Sequence, residues 1–419
     1  MRLLLNRDSV LTARHTLFVF LHLAFALGVV LYFLFSAPSA GAKSANGSSP
    51  SPNAQVYDCK AGPWGRIQWH YVHIEAPDWI VANTLLPHSQ PSWSFPGASV
   101  DDLKRFLVMT GVATSTVNGW LADNRAILHG PESITIFPSV PEVEALGDAA
   151  RRTIYEELAK SQMNEYYANP IYILDRSVED WIGLRKVRPE ILDLIKRLAY
   201  QRGDVLCFSD LSVLMAHAQS DAEARDLAKL GTRKRAIMAY LQVSPSEDFE
   251  KLEAYWSAAY RRKDVLPILT SISQLPGGGR LGLSHLLPAQ PRKLIYTYPT
   301  LDLATTGRLP DCHWTTFNFF SFYPQNIYLD LRLAADRLLE GYDPVEPPYK
   351  YGDALIFLNK AGDAIHSCVY LCDDLVFTKN GETISAPWII SQIGDVQRLY
   401  AHLGLNRIQG YRRRWDQER

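Results

Sequence analysis

The sequence predicts an α+β protein: a large helical region over residues 101–272, then a helix and an antiparallel meander of short strands within 273–406. Two patterns carry that prediction. Apolar residues recur at three- and four-residue spacing before residue 272, and short alternating runs broken by turn residues follow residue 350. A third observation sets the scale. The 419 residues are 47% apolar and 21% charged, an ordinary globular balance with length for two or three domains. Lys plus Arg is 43 against 44 for Asp plus Glu. No positive excess steers such a chain onto phosphate backbones, so nucleic acid is not expected as a partner.

From the N-terminus, Thr16–Phe35 is a run of twenty uncharged, mostly apolar residues. At about 1.5 Å per residue it would span roughly 30 Å, the thickness of a bilayer's hydrocarbon core. Arg2, Arg7 and Arg14 precede it and only Lys43 follows closely. That bias predicts residues 1–15 in the cytoplasm, a single-pass segment over 16–35, and a body outside the cytoplasm. The small residues after the run leave a cleaved signal, hence secretion, as an alternative, and a buried core helix as a third. Residues 36–56 are rich in Ser, Pro, Ala, Asn and Gly and read as a linker, with Asn46-Gly47-Ser48 matching a glycosylation acceptor.

Residues 57–100 form a Trp- and Pro-rich segment whose stretch Ile67–Ile74 alternates as a strand. His70 and His73 are three apart, so they point to opposite faces and make no metal pair. The helical region begins at Asp101–Leu107, with acid at its positive end. Further helices are expected near 144–166, 188–201, 221–241 and 247–263. The last carries an apolar stripe of Phe249, Leu252, Tyr255, Trp256 and Ala259. A region this long is either a separate domain or an insertion that shapes a cleft. Gly277–Gly279 reads as a turn, since it lacks the spacing of a phosphate or dinucleotide loop. Leu294–Tyr298 reads as a strand, and residues 407–419, with Arg412, Arg413 and Arg414, as a solvated basic tail. Five cysteines without a CxxC pair give no metal or cluster site, and no cofactor is expected.

The chemistry lies in 309–380. Pro310 and Asp311 lead into a helix, so Cys312 falls in its first turn, where free backbone N–H groups favour a thiolate. Those donors could also stabilise the oxyanion formed when a thiolate attacks an amide. His313, adjacent on a helix, points elsewhere and is a poor base. Tyr351–Leu358, Ile365–Leu371 and Leu375–Thr378 read as three strands of a meander. On the second, His366, Cys368 and Tyr370 share one face. That face could meet the Cys312 helix or solvent, while Ser367, Val369 and Leu371 face the core.

Asp311-Cys312, the run Gly352-Asp353-Ala354-Leu355-Ile356-Phe357 and the strand His366-Ser367-Cys368-Val369-Tyr370-Leu371 together resemble the NlpC/P60 cysteine peptidases, a papain-like group that cleaves cell-wall peptides. The resemblance covers roughly residues 290–400. His313-Trp314 replaces the family's usual Ser-Gly, and Cys368 stands where Gly is common. The resemblance implies a papain-like core, Cys312 as nucleophile and His366 as base. Thr378, twelve residues on, or Asn380 would orient the imidazole. It also implies a peptide or peptidoglycan-like substrate and a cysteine peptidase or amidase, membrane-anchored or exported. Acyl transfer of the transglutaminase type, with Asp374 in the third role, and an inactive binding module on the same fold are the alternatives. Oligomeric state is left open.

Overall fold

The computed structural model describes residues 55–415 other than 85–89, 123, 130–132, 246–247, 301 and 303–306. The described chain is a mixed α+β architecture with four separate sheets. It begins with β1 (Tyr57–Asp58), paired antiparallel to β2 (Arg66–Ile74). After Ile74 the chain leaves on a long excursion and returns at Lys234.

That excursion is a lobe with its own core. Its helices are α1 (Asp78–Thr84), α2 (Val100–Met109), α3 (Thr114–Trp120), α4 (Val140–Glu144), α5 (Asp148–Leu158), α6 (Glu165–Ala168), α7 (Val178–Ile182), α8 (Pro189–Leu198), α9 (Leu211–Ala216) and α10 (Asp221–Gly231). Many begin where local chemistry dictates. Ser99, Ser177 and Ser220 each accept a backbone N–H from the third residue on, and Pro189 opens α8. In α8, Ile191, Leu194, Ile195 and Leu198 are all buried, the three-and-four spacing of one face. Two small antiparallel sheets lie among the helices. One holds β3 (Trp93–Pro96), β4 (Ala126–Leu128) and β5 (Ser133–Ile136); the other holds β6 (Ile171–Ile173), β7 (Tyr200–Arg202) and β8 (Val205–Phe208). Apart from Tyr298, the buried members of this core all fall between Ala76 and Leu230.

The chain returns as β9 (Lys234–Val243), which pairs with the whole length of β2, from Ile74 opposite Lys234 to Arg66 opposite Gln242. The helix expected over 221–241 therefore stops at Gly231. Ala, Met, Leu and Lys in 234–243 favour a helix locally, but Ile237, Ala239, Leu241 and Val243 alternate inward and β2 supplies the ladder. β10 (Gly279–Gly282) completes this sheet after a turn in which Gly277 and Gly278 take positive φ. Between β9 and β10 lie α11 (Phe249–Trp256) and α12 (Arg262–Ser273). The expected strand at 294–298 is instead the end of α13 (Ala289–Leu294) followed by a single bridge from Ile295 to Trp388.

The C-terminal part runs α14 (Cys312–Phe317), α15 (Leu331–Gly341), β11 (Tyr342–Val345), β12 (Ala354–Asn359), β13 (Ala364–Cys372), β14 (Leu375–Lys379), β15 (Trp388–Gln392), α16 (Ile393–Tyr400) and β16 (Leu405–Arg413). The strands form one antiparallel sheet in the order β11-β16-β12-β13-β14-β15. β16 corrects the solvated tail expected over 407–419. It lies inside the sheet between β11 and β12, Arg412 is clamped on Asp353, and Arg414 is bonded to Asp343.

The membrane expectation is also corrected. Among the described residues no helix is long and apolar enough to cross a membrane. Residues 16–35 lie outside the described residues, as do residues 1–15 and most of the expected linker. The single-pass topology, the membrane partner and the extracytoplasmic or secreted location derived from them thus have no structural support.

Candidate functional site

Helix α14 opens on Asp311, whose Oδ1 accepts the Trp314 backbone N–H at 2.7 Å. One of the helix-start donors that were to favour a Cys312 thiolate is thus already used by a carboxylate. Cys312 itself is 9% exposed. The helix lies on the Ser367 face of β13. Thr316 donates its hydroxyl to Ser367 Oγ at 3.0 Å, and Ser367 Oγ lies 3.0 Å from His313 Nδ1. A hydrogen bond to the Ala364 backbone also holds the His313 ring. Burial holds the His313 pKa below its ordinary value, with Asp311 opposing. The cation on this side is Lys379, fully buried, its Nζ bonded to the carbonyls of Gly381 at 2.7 Å and Thr383 at 3.1 Å. Burial pushes its pKa down to about 7, against the pull of Asp311 and Cys312.

His366 points away from the face of Ser367, because neighbours on a strand alternate. It is closed off from solvent. Its exposure is 0%, its ring stacks on Tyr400 at 4.1 Å, and it meets the edge of Phe357 at 5.3 Å. Its Nε2 lies 3.0 Å from Thr378 Oγ1, and that hydroxyl donates onward to Asn380 Oδ1 at 3.2 Å. Nε2 is therefore the protonated nitrogen, and the buried Nδ1 has no partner. Thr378 and Asn380 hold the ring, but no hydrogen bond joins either imidazole nitrogen to the Cys312 thiol. A direct proton transfer needs that contact. Asp374 does not hold the ring either, since its carboxylate accepts from Gln392 at 2.7 Å.

The peptidase or amidase expectation is therefore corrected, and acyl transfer and the peptide or peptidoglycan-like substrate go with it. Among the described residues there is no evidence of a catalytic cysteine–histidine dyad. Among the described residues, no group of three or more His, Cys, Asp or Glu side chains could hold a metal ion.

What the sequence reading missed is a cavity of about 290 Å³ where four distant segments meet. Its walls come from the end of α11 and the two alanines just after it, from Phe320 past α14, from the turn at 350–353 before β12, and from the end of β16 with Trp415. The rings are anchored. Tyr255 donates its hydroxyl to the Leu371 carbonyl at 2.7 Å, and Tyr351 donates to the Leu286 carbonyl at 3.1 Å while accepting from Arg261 at 3.2 Å. Phe320 packs edge-on against Trp415 at 5.0 Å, and the Arg413 guanidinium sits over the Trp415 ring at 4.6 Å.

The one carboxylate in the lining is neutralised. Asp353 takes Arg412 through two bonds, at 2.8 and 2.7 Å, and also accepts the Lys350 backbone N–H at 2.7 Å. That fork raises the Arg412 pKa above its ordinary value. The ammonium of Lys350 pairs with no described carboxylate. Beside it the backbone is strained: Ala259 and Tyr260 take φ of 65° and 60° in succession. Gly352, at φ 90°, approaches Phe320 so closely that a Cβ would stand 2.4 Å from the ring. The available signals were the density of Tyr and Trp and the run Arg412–Trp415, but nothing local joins residues 255, 351 and 415. No family model matches the chain, and neither the curated proteins nor the solved structures yield a match to it.

Proposed function

We propose that this protein binds a small aromatic anion in the cavity between α11, the 350–353 turn and β16. The observation that carries this reading is the convergence of anchored aromatic rings and the Lys350 side chain on one half-open cavity. Rings whose hydroxyls are already bonded present their faces and edges at little further entropic cost. A cavity of about 290 Å³ stands at the lower end of small-molecule sites, the size for a one- or two-ring ligand. With Asp353 satisfied by Arg412, the group left to orient a ligand is the Lys350 ammonium, which selects a negative group.

Isothermal titration with 4-hydroxybenzoate and indole-3-carboxylate tests this, with the neutral 4-hydroxybenzyl alcohol as control. Both acids should bind and quench tryptophan fluorescence, and the alcohol should bind at least about tenfold more weakly, since one charge-assisted bond is worth about 1.5–3 kcal/mol. Lys350→Met should erase the preference for the acid, and Trp415→Ala should weaken both acids. Absence of heat with either acid at millimolar concentration, or equal binding of the alcohol, would reject the reading.

A further inference from the structure

We propose that Cys59 and Cys372 form a reversible disulfide that clasps the N-terminal hairpin to the β13–β14 turn. The two residues are far apart in sequence but are brought together by backbone contacts. Cys59 follows β1 and is pinned through its own N–H to the Ile67 carbonyl at 2.9 Å. The next residue, Lys60, donates its backbone N–H to Asp373 Oδ2 at 3.0 Å. Cys372 is the last residue of β13, and Asp373 turns the chain there with φ 49°. Each cysteine thus immediately precedes one partner of the same hydrogen bond. The side chain of Cys59 packs on the core that contains Cys372, and the two thiols are neighbours. Both are free thiols in this structure.

Their environments order the chemistry. Cys59 is half-buried and reachable, whereas Cys372 is fully buried. Burial, and the Cys59 thiol beside it, hold the Cys372 pKa well above its ordinary value, so it is a poor first attacker. The oxidant is a small-molecule disulfide. The Cys59 thiolate attacks one of its sulfurs, forming a mixed disulfide and releasing one thiolate. Cys372 then gives up its proton and attacks the Cys59 sulfur, releasing the second thiolate and closing the protein disulfide. Two protein thiols are oxidised and one small disulfide is reduced to two thiols. The pair lies outside the cavity lining, and its chemistry needs no ligand there.

The experiment exposes the full chain to excess glutathione disulfide and maps the peptides without reduction. The expected product links Cys59 to Cys372, leaves Cys207, Cys312 and Cys368 as thiols, and reverts with dithiothreitol. Because the bond closes a long loop, the melting temperature should rise by about 5 °C, and Cys59→Ser should neither cross-link nor shift. Cys59 tolerates this change because it is partly exposed. In Cys372→Ala, glutathione should remain attached to Cys59. A stable glutathione adduct on Cys59 of the unaltered chain, a Cys312–Cys368 link in its place, or no reaction at all would overturn the proposal.

Discussion

Asp210 sits in the core of the lobe with one carboxyl oxygen bonded and the other not. Its Oδ1 accepts the hydroxyl of Tyr155 at 2.6 Å and that of Tyr167 at 3.4 Å, while Oδ2 has no partner. Burial pushes its pKa up from 3.8 to about 6, with Tyr155, Arg151 and Tyr167 pulling the other way. An acid whose folded pKa exceeds its unfolded value binds more protons when native. Its contribution to stability is therefore greatest below about pH 4 and declines as the pH rises to about 6. The decline amounts to at most roughly 3 kcal/mol, from about 1.4 kcal/mol per pH unit. Urea midpoints at pH 4.5 and pH 7 for the unaltered chain and for Asp210→Asn measure it. The stability difference between the two should shift toward the variant at pH 7. A difference that is the same at both values would show that Asp210 does not titrate in this window.

Among the elements, the 350–353 turn shows how backbone conformation builds a binding wall. Gly352 gives its N–H to the Tyr370 carbonyl at 2.9 Å while holding φ at 90°, and its missing Cβ makes room for Phe320. Gly352→Ala should cost about 1–3 kcal/mol from the left-handed φ alone. It should also displace Phe320 into the cavity and weaken binding of 4-hydroxybenzoate. Unchanged affinity and an unchanged denaturation midpoint would show that the turn is slack. The strands beside this turn were legible because each is set by local pattern: alternation in 354–359 and 364–372, turn residues at 359–363 and 373–374. β9 was not, because its partner lies some 160 residues back in the chain and its own residues favour a helix. The same limit applies to the site. Sequence pattern placed His366 on a strand and Thr378 twelve residues on, but which face α14 would cover is decided by packing. Ser367, Thr316 and His313 occupy that face, and Tyr400 covers the other.

At the scale of the whole described chain, residues 75–233 are an excursion between two strands that remain zipped to each other. Ile74 and Lys234 face one another at its neck. There Glu75 takes both Arg185 and Arg233, and His73 lies 3.1 Å from Asp175. Burial opposes ionisation of Glu75, but the two arginines outweigh it and hold its pKa below the usual carboxylate range. Because the lobe's core is almost wholly its own, replacing 75–233 by Asn-Gly should join β2 to β9 as a two-residue hairpin. The shortened chain should keep its near-ultraviolet circular dichroism from Trp256, Trp314 and Trp388 and still bind 4-hydroxybenzoate. Loss of both would mean that the lobe is needed to hold the rest together. The antiparallel neck also has a mechanical consequence. Tension pulling the lobe away from the sheets loads only the terminal rung at Ile74 and Lys234, so the ladder would peel bond by bond at low force. The same rungs, pulled lengthwise along β2 and β9, would have to break together.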